Sequence, residues 1–259
     1  MNRSSINRIV VGVAAVLAVV TMTNARAAES PQVIEAFACN FLDGKDMADL
    51  ENTIDYYESQ RSKMGSDAIE KMRSVTWQVI RGRVAYDLIW LNTNLTLSEW
   101  GSATTAIAES KAGQAVQARF DEVLECDASG VYTNEVLYRT EKDLAQDGEF
   151  IVESYRCKLH EGQSVSGSDA AIEAWRPVFA GSMESAGTAA AVLRRLPVVS
   201  ATGFDLNYLV AWDDLQSYAD GNSAYQMNSA SARPTEMFNS THRCESALFN
   251  GRVVVAPAD

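Results

Sequence analysis

Four cysteines and two histidines are the residues of this sequence whose chemistry depends most on how they are paired. His160 follows Cys157 by three places, and His242 precedes Cys244 by two places. If the cysteines were reduced, these residues would offer zinc a Cys₂His₂ set of ligand types. In an exported protein, by contrast, four cysteines normally form two disulfide bonds. The choice between a metal site and disulfides depends on how the rest of the chain is organised.

The second half of the chain repeats the first half at a constant offset of 118 residues. The segment FACNFLDG begins at residue 37, and YRCKLHEG, which begins at residue 155, keeps its aromatic residue, its cysteine and its glycine at the same places. The match continues over about 90 residues, and it pairs Ile54 with Ile172, Asp87 with Asp205, Leu91 with Leu209 and Phe120 with Phe238. Such self-similarity predicts two copies of one structural unit.

The repeat decides how the cysteines pair. If each copy once folded independently, its two cysteines should bond within it, which predicts Cys39–Cys126 and Cys157–Cys244. The first copy keeps its cysteines but has Leu42 and Leu124 where the second copy has His160 and His242. A disulfide explains that pattern and a zinc site does not, so we predict no metal, and neither histidine is expected to ligate a haem.

The first 27 residues have the three regions of a secretory signal peptide. A basic start, MNRSSINR, precedes the apolar run IVVGVAAVLAVV, and the segment ends in a small-residue Ala-Arg-Ala site. The apolar run is shorter than the roughly 20 residues that a membrane helix needs. We therefore predict cleavage after Ala27, no membrane span in the mature chain, and a periplasmic or secreted location.

The charge and the missing motifs exclude several classes of function. Removal of the signal takes away three arginines and no acid, which leaves 19 basic and 34 acidic residues. This balance argues against nucleic acid or an anionic membrane as a partner. The sequence also lacks a phosphate-binding Gly-x-x-x-x-Gly-Lys loop, a His-Glu-x-x-His zinc motif and a Gly-x-Ser-x-Gly nucleophile elbow. No motif identifies a reaction, and no cofactor is predicted.

Two acidic positions recur in both copies. Glu35 and Glu153 fall on the apolar side of a predicted strand, where a carboxylate is costly to bury unless it lines a wet cavity or lies at the rim of the sheet. Asp87 and Asp205 could act as acid–base groups together with Tyr208, although turn or capping roles are favoured for both aspartates. Glu35 and Glu153 are therefore candidate ligand-binding residues, and the other three are candidate catalytic residues.

Large aromatic residues recur as well. Trp90 is matched by Tyr208, and Trp100 by Tyr218, and these pairs are more typical of a packed core than of a binding site. Trp212 shares one strand face with Tyr208 and is the best candidate to line a cavity. We therefore add Trp90, Tyr208 and Trp212 to the candidate ligand-binding residues, with an apolar or aromatic small molecule as the expected partner.

Each copy has the element order strand, helix, strand, strand, helix, strand. Apolar residues alternate near residues 33–41 and 151–159, whereas residues 47–57 and 172–179 have helical spacing that Pro177 should kink or shorten. This order, present twice, resembles the ferredoxin-like dimeric α/β-barrel superfamily. The resemblance implies an α+β fold in which two sheets pack around a shared cavity. The superfamily includes cofactor-free monooxygenases, haem-dependent peroxidases and isomerases, and other members only bind. No family motif is matched, so no catalytic residue is carried over.

The predicted organisation is a signal peptide (1–27), a first α+β repeat (28–145) and a second (146–259), joined as one monomer with internal pseudo-twofold symmetry. The expected function is a small-molecule-binding or structural module with a cavity between two sheets. The alternatives are a protein-interaction domain with a filled barrel and a cofactor-independent enzyme, such as a monooxygenase or isomerase. Convergent carboxylates in an open cavity would favour the enzyme, and a filled barrel the interaction domain.

Overall fold

The computed structural model describes residues 32–141, 148–200 and 203–258. The predicted signal peptide and part of the junction between the two copies lie outside these residues. Within them, none of the helices combines the length and the apolar composition needed to cross a membrane.

Eight antiparallel strands form a closed barrel in the order β1-β3-β2-β8-β5-β7-β6-β4. The strands are β1 (Gln32–Phe41), β2 (Arg73–Arg81), β3 (Leu88–Thr96), β4 (Leu124–Arg139), β5 (Glu149–Leu159), β6 (Ala190–Ser200), β7 (Leu206–Trp212) and β8 (His242–Val255). The first four strands are neighbours in the order β4-β1-β3-β2, and the last four in the corresponding order β8-β5-β7-β6. Pairing of β2 with β8 and of β4 with β6 closes the barrel, so the two halves of the chain share one sheet.

In the part of the chain that the structure describes, seven α-helices connect the strands. They are α1 (Met47–Gln60), α2 (Asp67–Lys71), α3 (Leu97–Glu109), α4 (Lys111–Asp121), α5 (Asp169–Ala186), α6 (Leu215–Met227) and α7 (Ala232–Thr241). Helix α3 begins with the capping box that the sequence indicates, in which Thr96 and Glu99 each bond the other's backbone N–H. At the start of α6 only the cap residue contributes its side chain, because the Asp214 carboxylate accepts a hydrogen bond from the Ser217 N–H.

Pro177 was expected to kink or shorten its helix, and it does not shorten it, since α5 runs through Pro177 and has 18 residues in all. Proline removes one backbone hydrogen bond from a helix interior, so other contacts must hold the helix together. The rings of Trp175 and Phe179, which flank Pro177, stack with centroids 4.5 Å apart on the buried side. Arg176 Nε donates to the Leu137 carbonyl of β4 and ties the same turn to the sheet.

Apolar residues are buried in three separate clusters. Two clusters lie between the outside of the barrel and the helices, one for each half of the chain, and they contain the inward faces of α1 and α5. The third cluster fills part of the barrel interior with residues of both halves, such as Ile34, Trp77, Leu209 and Phe249. Each strand therefore has two covered faces, one against helices and one against the opposite strands.

The structure contains both disulfides that the repeat predicts. Cys39 is bonded to Cys126, joining β1 to β4, and Cys157 is bonded to Cys244, joining β5 to β8. In both cases the two cysteines are direct register partners across neighbouring strands. Each bond closes a loop with a sequence separation of 87 residues, which the chain-entropy model equates with about 4–5 kcal/mol of stability.

Candidate functional site

The interior of the barrel is open at one end. A cavity of about 550 Å³ lies where β1 and β5 begin, and residues of all eight strands line it. Its wall is mostly aliphatic and includes Ile34, Val75, Leu91, Val152, Leu193 and Leu209. A volume of this size is within the range of small-molecule sites in proteins. The barrel is therefore not the filled one that an interaction domain would require.

An arginine is buried in the middle of this interior. Arg195, on β6, is 6% exposed, and its guanidinium carbon lies 4.9 Å from the ring centroid of Trp77 on β2. Strands β2 and β6 are opposite each other in the barrel, so the two side chains meet across the lumen. No carboxylate of the described residues forms an ion pair with Arg195, and burial lowers its pKa to about 9. An unpaired buried cation is costly unless a ligand or another group compensates its charge.

Three buried polar atoms that line this cavity have no hydrogen-bond partner among the described residues. Two are donors, the Arg195 Nε–H and the Trp77 Nε1–H, and one is an acceptor, Asn134 Oδ1. Asn134 is the direct register partner of Arg195 across the β4–β6 seam. Buried polar groups are nearly always satisfied, so the convergence of three unsatisfied ones marks a place prepared for a polar group from outside the chain.

Trp77 and Arg195 occupy matched positions of the two repeats. They are 118 residues apart, and their partners in the adjacent strands, Ile89 and Asn207, are also 118 residues apart. The same place in the two copies therefore carries an indole in the first half and a guanidinium in the second half. Their contact across the lumen is a cation–π interaction between two different side chains.

A second, smaller chamber of about 80 Å³ lies on the other side of this contact, toward the end of the barrel where β1 and β5 finish. Trp77 and Arg195 line both spaces, so their side chains form the partition. The wall of the chamber combines apolar and polar residues. Its other polar lining residues are Tyr86, Tyr132, Ser154, Arg156 and Asn207.

Neither predicted ligand-binding glutamate lines these spaces. Glu35 accepts a hydrogen bond from Asn92 Nδ2 at 3.1 Å and shares the strand face of Phe37, which packs in a helix-covered cluster. Burial raises the pKa of Glu153, and a hydrogen bond with Tyr155 opposes that rise. The apolar strand face that carries these glutamates therefore faces the helices, because the lumen is lined by the alternate residues.

The three predicted aromatic ligand-binding residues lie in the helix-covered clusters as well. Trp90 packs at 5.1 Å from Phe120, and its indole N–H donates to Asn92 Oδ1. Tyr208 and Trp212 belong to the cluster under α5, α6 and α7. None of the three lines either space inside the barrel.

The predicted catalytic aspartates have matched structural contacts. Asp87 accepts a hydrogen bond from the Phe41 backbone N–H at 3.0 Å, and Asp205 accepts one from the Leu159 N–H at 2.8 Å. Each aspartate thus closes the end of the first strand of its half. With Tyr208 on the other side of the sheet from the lumen, the structure does not bring the three predicted catalytic residues together around a cavity.

The histidines do not make the large cavity a metal or haem site. His242 Nδ1 lies 2.7 Å from Thr241 Oγ1, His160 Nε2 lies 3.0 Å from the Asn239 carbonyl, and burial lowers the pKa of His242. One ligand atom each of His242, Cys157 and Cys244 lies within 4.8 Å of the others, but the two cysteines are in a disulfide. Haem iron takes an axial His, Cys, Met or Tyr. Among the described residues the large cavity is lined by none of these, so its lining does not fit a haem.

Sequence reasoning missed the residues that converge inside the barrel. Trp77 lies in the segment VTWQVI, and Arg195 lies in LRRLPVV, where it is one of two adjacent arginines. The offset of 118 matches the two positions, and this signal could have identified them as one place in the repeat with two different side chains. The offset alone does not show that the two side chains touch, because their contact depends on the closure of the barrel.

Comparison with known proteins identifies the fold. No protein-family model matches the chain, and no curated protein matches it in sequence. Similar solved structures include a candidate monooxygenase from Fusobacterium nucleatum (10% identity, TM-score 0.53, 88% of this chain and 94% of that one) and a candidate chlorite dismutase (11%, 0.55, 88% and 96%). A third is an anthrone oxidase-like protein (14%, 0.52, 90% and 98%). These proteins are dimeric α/β barrels, and the chain has that α+β fold.

Proposed function

We propose that the large cavity binds an apolar aromatic small molecule with one acidic group, and that the protein oxidises this molecule without a metal or an organic cofactor. The observation that carries the proposal is Arg195, a buried cation without a carboxylate partner, aimed into an aliphatic cavity. The proposal replaces the acid–base residues expected from the sequence with a binding site for the anionic form of the substrate.

The acidic group is proposed from the charge of the site. The guanidinium of Arg195 loses its hydration on burial, which lowers its pKa to about 9, and no carboxylate of the described residues compensates its charge. A carboxylate, phenolate or enolate would restore the lost interaction with a charge-assisted hydrogen bond, and Arg195 would in turn lower the pKa of that acid. The aliphatic wall would hold the rest of the molecule by burial of apolar surface.

The other two unpartnered atoms, Trp77 Nε1 and Asn134 Oδ1, indicate which polar groups the ligand carries. The Trp77 N–H can donate to an oxygen of the ligand, and Asn134 Oδ1 can accept from a hydroxyl. A hydroxylated aromatic compound that carries an anionic oxygen next to a phenolic hydroxyl would satisfy all three atoms. A neutral hydrocarbon would leave all three without partners.

An anion held in this way can react with dioxygen directly. If the substrate is an aromatic ketone whose CH₂ group is conjugated with the carbonyl through the aromatic rings, as in anthrone, loss of one proton from CH₂ to water gives an enolate, which Arg195 stabilises. The enolate transfers one electron to O₂, and the two radicals combine to form a carbon–oxygen bond. Protonation gives a hydroperoxide, and loss of water leaves a second carbonyl, so that CH₂ and O₂ become C=O and H₂O.

The comparisons support the enzyme alternative better than the binding module. Proteins described as a candidate monooxygenase and as anthrone oxidase-like are among the structures with this fold. One observation favours binding without turnover as the second candidate. Among the described residues that line the large cavity there is no Asp, Glu or His to act as a general base.

The finer organisation is proposed together with this function. The corresponding strand orders and disulfides of the two halves support two tandem ferredoxin-like repeats, 28–145 and 146–259, related by a pseudo-twofold axis in a monomer. The disulfides also support export to the periplasm or beyond, with removal of residues 1–27.

The binding step is tested with 1-naphthoate and its neutral analogue 1-naphthamide by isothermal titration calorimetry. We expect naphthoate to bind more tightly than the amide, and Arg195→Met to weaken naphthoate binding by roughly 30–100-fold, as for loss of a hydrogen bond to a charged group. Arg194→Met is the matched control, because Arg194 is the next residue on β6 and pairs with Glu135 and Asp169 outside the lumen. Equal losses in the two variants would contradict the site.

The reaction is tested separately by oxygen uptake with anthrone, against the same solution without protein. We expect uptake of one O₂ for each carbonyl formed, no effect of a metal chelator, and a rate that falls with Arg195→Met but not with Arg194→Met. Naphthoate binding without oxygen uptake for anthrone or for a panel of hydroxylated anthrones would identify a binding module and reject the oxidation.

A further inference from the structure

We infer that the smaller chamber is a second binding site, which takes a small planar oxyanion of the size of formate, nitrate or bicarbonate. The inference shares Arg195 with the proposed function but requires neither an aromatic ligand nor a reaction. It rests on the size of the chamber, on its charge and on the donors that line it.

The size of the chamber limits its occupant. A volume of about 80 Å³ holds two or three waters at about 30 Å³ each, or an ion of three or four heavy atoms. An aromatic acid is too large. The partition by Trp77 and Arg195 also separates an ion in this chamber from the aliphatic wall of the large cavity.

The charge of the chamber selects an anion. Arg156 and Arg195 both line it, and none of the described lining residues is an acid. The nearest ion-pair partner is Glu245, whose carboxylate lies 3.9 Å from Arg156 and is 83% exposed. Water screens such an exposed pair, so it compensates little of the positive charge inside. In a chain with a formal net charge of −12, this is a local reversal of sign.

Hydrogen-bond donors converge on the same space. Arg195 lines the chamber as well as the large cavity, and its guanidinium carries four N–H donors besides the Nε–H that the ligand of the large cavity would use. Ser154 Oγ accepts a bond from Asn207 Nδ2 at 2.9 Å, and this leaves the serine O–H available to donate into the chamber. Burial raises the pKa of Tyr86, so its hydroxyl stays protonated and can donate too. A planar oxyanion has enough acceptor positions for two guanidinium groups and these hydroxyls.

The repeat gives an internal contrast for this site. The positions of the first half that match Ser154, Arg156 and Asn207 are Ala36, Ala38 and Ile89, and all three of these also line the chamber. At these three matched positions, the polar residues therefore come from the second half and the apolar residues from the first half. Symmetric packing of the two copies does not require such a division, whereas a site for one small anion does.

Formate is the probe for the test, added to the mature chain as the sodium salt at constant ionic strength set with gluconate, which is too large for the chamber. We expect a saturable rise in Tm, as for a ligand that binds the folded state alone. Arg156→Gln should weaken formate binding at least tenfold, and Arg156→Lys should recover part of it. Arg252→Gln, which removes an exposed arginine paired with Glu51, should bind formate like the unaltered protein.

The outcomes separate the two proposals. If Arg156→Gln loses formate binding but keeps its affinity for naphthoate, the second site is supported. This result supports the second site even if Arg195→Met does not change naphthoate affinity, in which case only the proposed function fails. Formate binding that is lost in Arg195→Met but unchanged in Arg156→Gln would place the anion in the large cavity and overturn the inference. An equal rise in Tm for all variants would be a general salt effect and would overturn it as well. Each variant's own unfolding transition shows whether it is folded.

Discussion

The two halves of the chain agree in their framework and differ in what they present to the lumen. The disulfides, the strand order and the strand-closing aspartates are the same in both halves. At the matched lumen positions, Trp77 and Ala38 of the first half correspond to Arg195 and Arg156 of the second half. A homodimeric barrel must carry the same residue at both places. A tandem chain can change one copy alone, and here this produces an indole opposite a guanidinium.

The largest effect is expected when the halves are separated. Residues 28–145 alone lose the partners of β2 and β4, which pair with β8 and β6 in the barrel, and they expose one face of the sheet. We expect this fragment to aggregate or to form a homodimer that imitates the barrel, as measured by sedimentation. In that homodimer Trp77 would face a second Trp77. A stable monomeric fragment, together with two independent unfolding transitions of the full chain, would show that the two halves are independent domains and do not share one barrel.

Loss of either disulfide should be almost as severe and equal in the two halves. Replacing Cys39 and Cys126 by serine, or Cys157 and Cys244, should lower the free energy of unfolding by about 4–5 kcal/mol in each case, since both loops have the same length. Denaturant unfolding of the two double variants measures this. A much larger loss in one half would show that the two frameworks are not equivalent.

Replacement of the arginine inside the barrel should stabilise the protein while it removes anion binding. We expect Arg195→Met to raise the free energy of unfolding by about 1–4 kcal/mol, because an unpaired buried charge is replaced by an apolar side chain. The folded pKa of about 9 lies below the ordinary 12.5, so the penalty is complete below pH 9 and is relieved as pH rises toward 12.5. Anion affinity should fall over the same rise in pH.

Thermal unfolding of Arg195→Met beside Arg194→Met, at pH 7 and pH 10, measures this effect. Arg194→Met should instead destabilise the protein, because it leaves Glu135 and Asp169 without their partner. The stabilising effect of Arg195→Met should be smaller at pH 10 than at pH 7. A variant of Arg195 that is less stable than the parent at pH 7 would mean that its charge is compensated within the protein.

The smallest effects should come from the matched aspartates. Asp87→Ala and Asp205→Ala each remove one hydrogen bond to a backbone N–H at a strand end, which should cost about 1–2 kcal/mol in either half. Asp43→Ala is the control, since Asp43 lies in an exposed turn with no such bond. Denaturant unfolding should give similar losses for the two aspartates. A loss of ligand binding or activity in either variant, without a loss of stability, would restore the catalytic role considered from the sequence.

The sequence predicted the parts of the structure that depend on matched residues within one copy. The cysteine pairs, the element order and the capping box at Thr96 all follow from short segments or from the offset of 118. The α+β barrel class followed from the order and its duplication.

The strand face that lines the cavity could not be predicted in the same way. Both faces of each strand are covered by other parts of the protein. The alternation of apolar residues showed that the face carrying Phe37 is buried, but it did not show that this face packs against the helices. The lumen residues are small, aliphatic or unmatched between copies, and Arg195 has the same local pattern as its neighbour Arg194. Only the closure of the barrel distinguishes the two arginines, because it turns one toward Trp77 and the other toward Glu135 and Asp169.

The contact between Trp77 and Arg195 also has a consequence for the orientation of a guest. In a barrel with an exact twofold axis, a guest and its copy rotated about that axis would meet the same groups, so the two orientations would be equivalent. Here one side of the lumen carries the indole of β2 and the opposite side carries the guanidinium of β6. A flat guest in the large cavity that lies against this contact meets the indole on one side and the guanidinium on the other, so two orientations related by the pseudo-twofold axis are no longer equivalent.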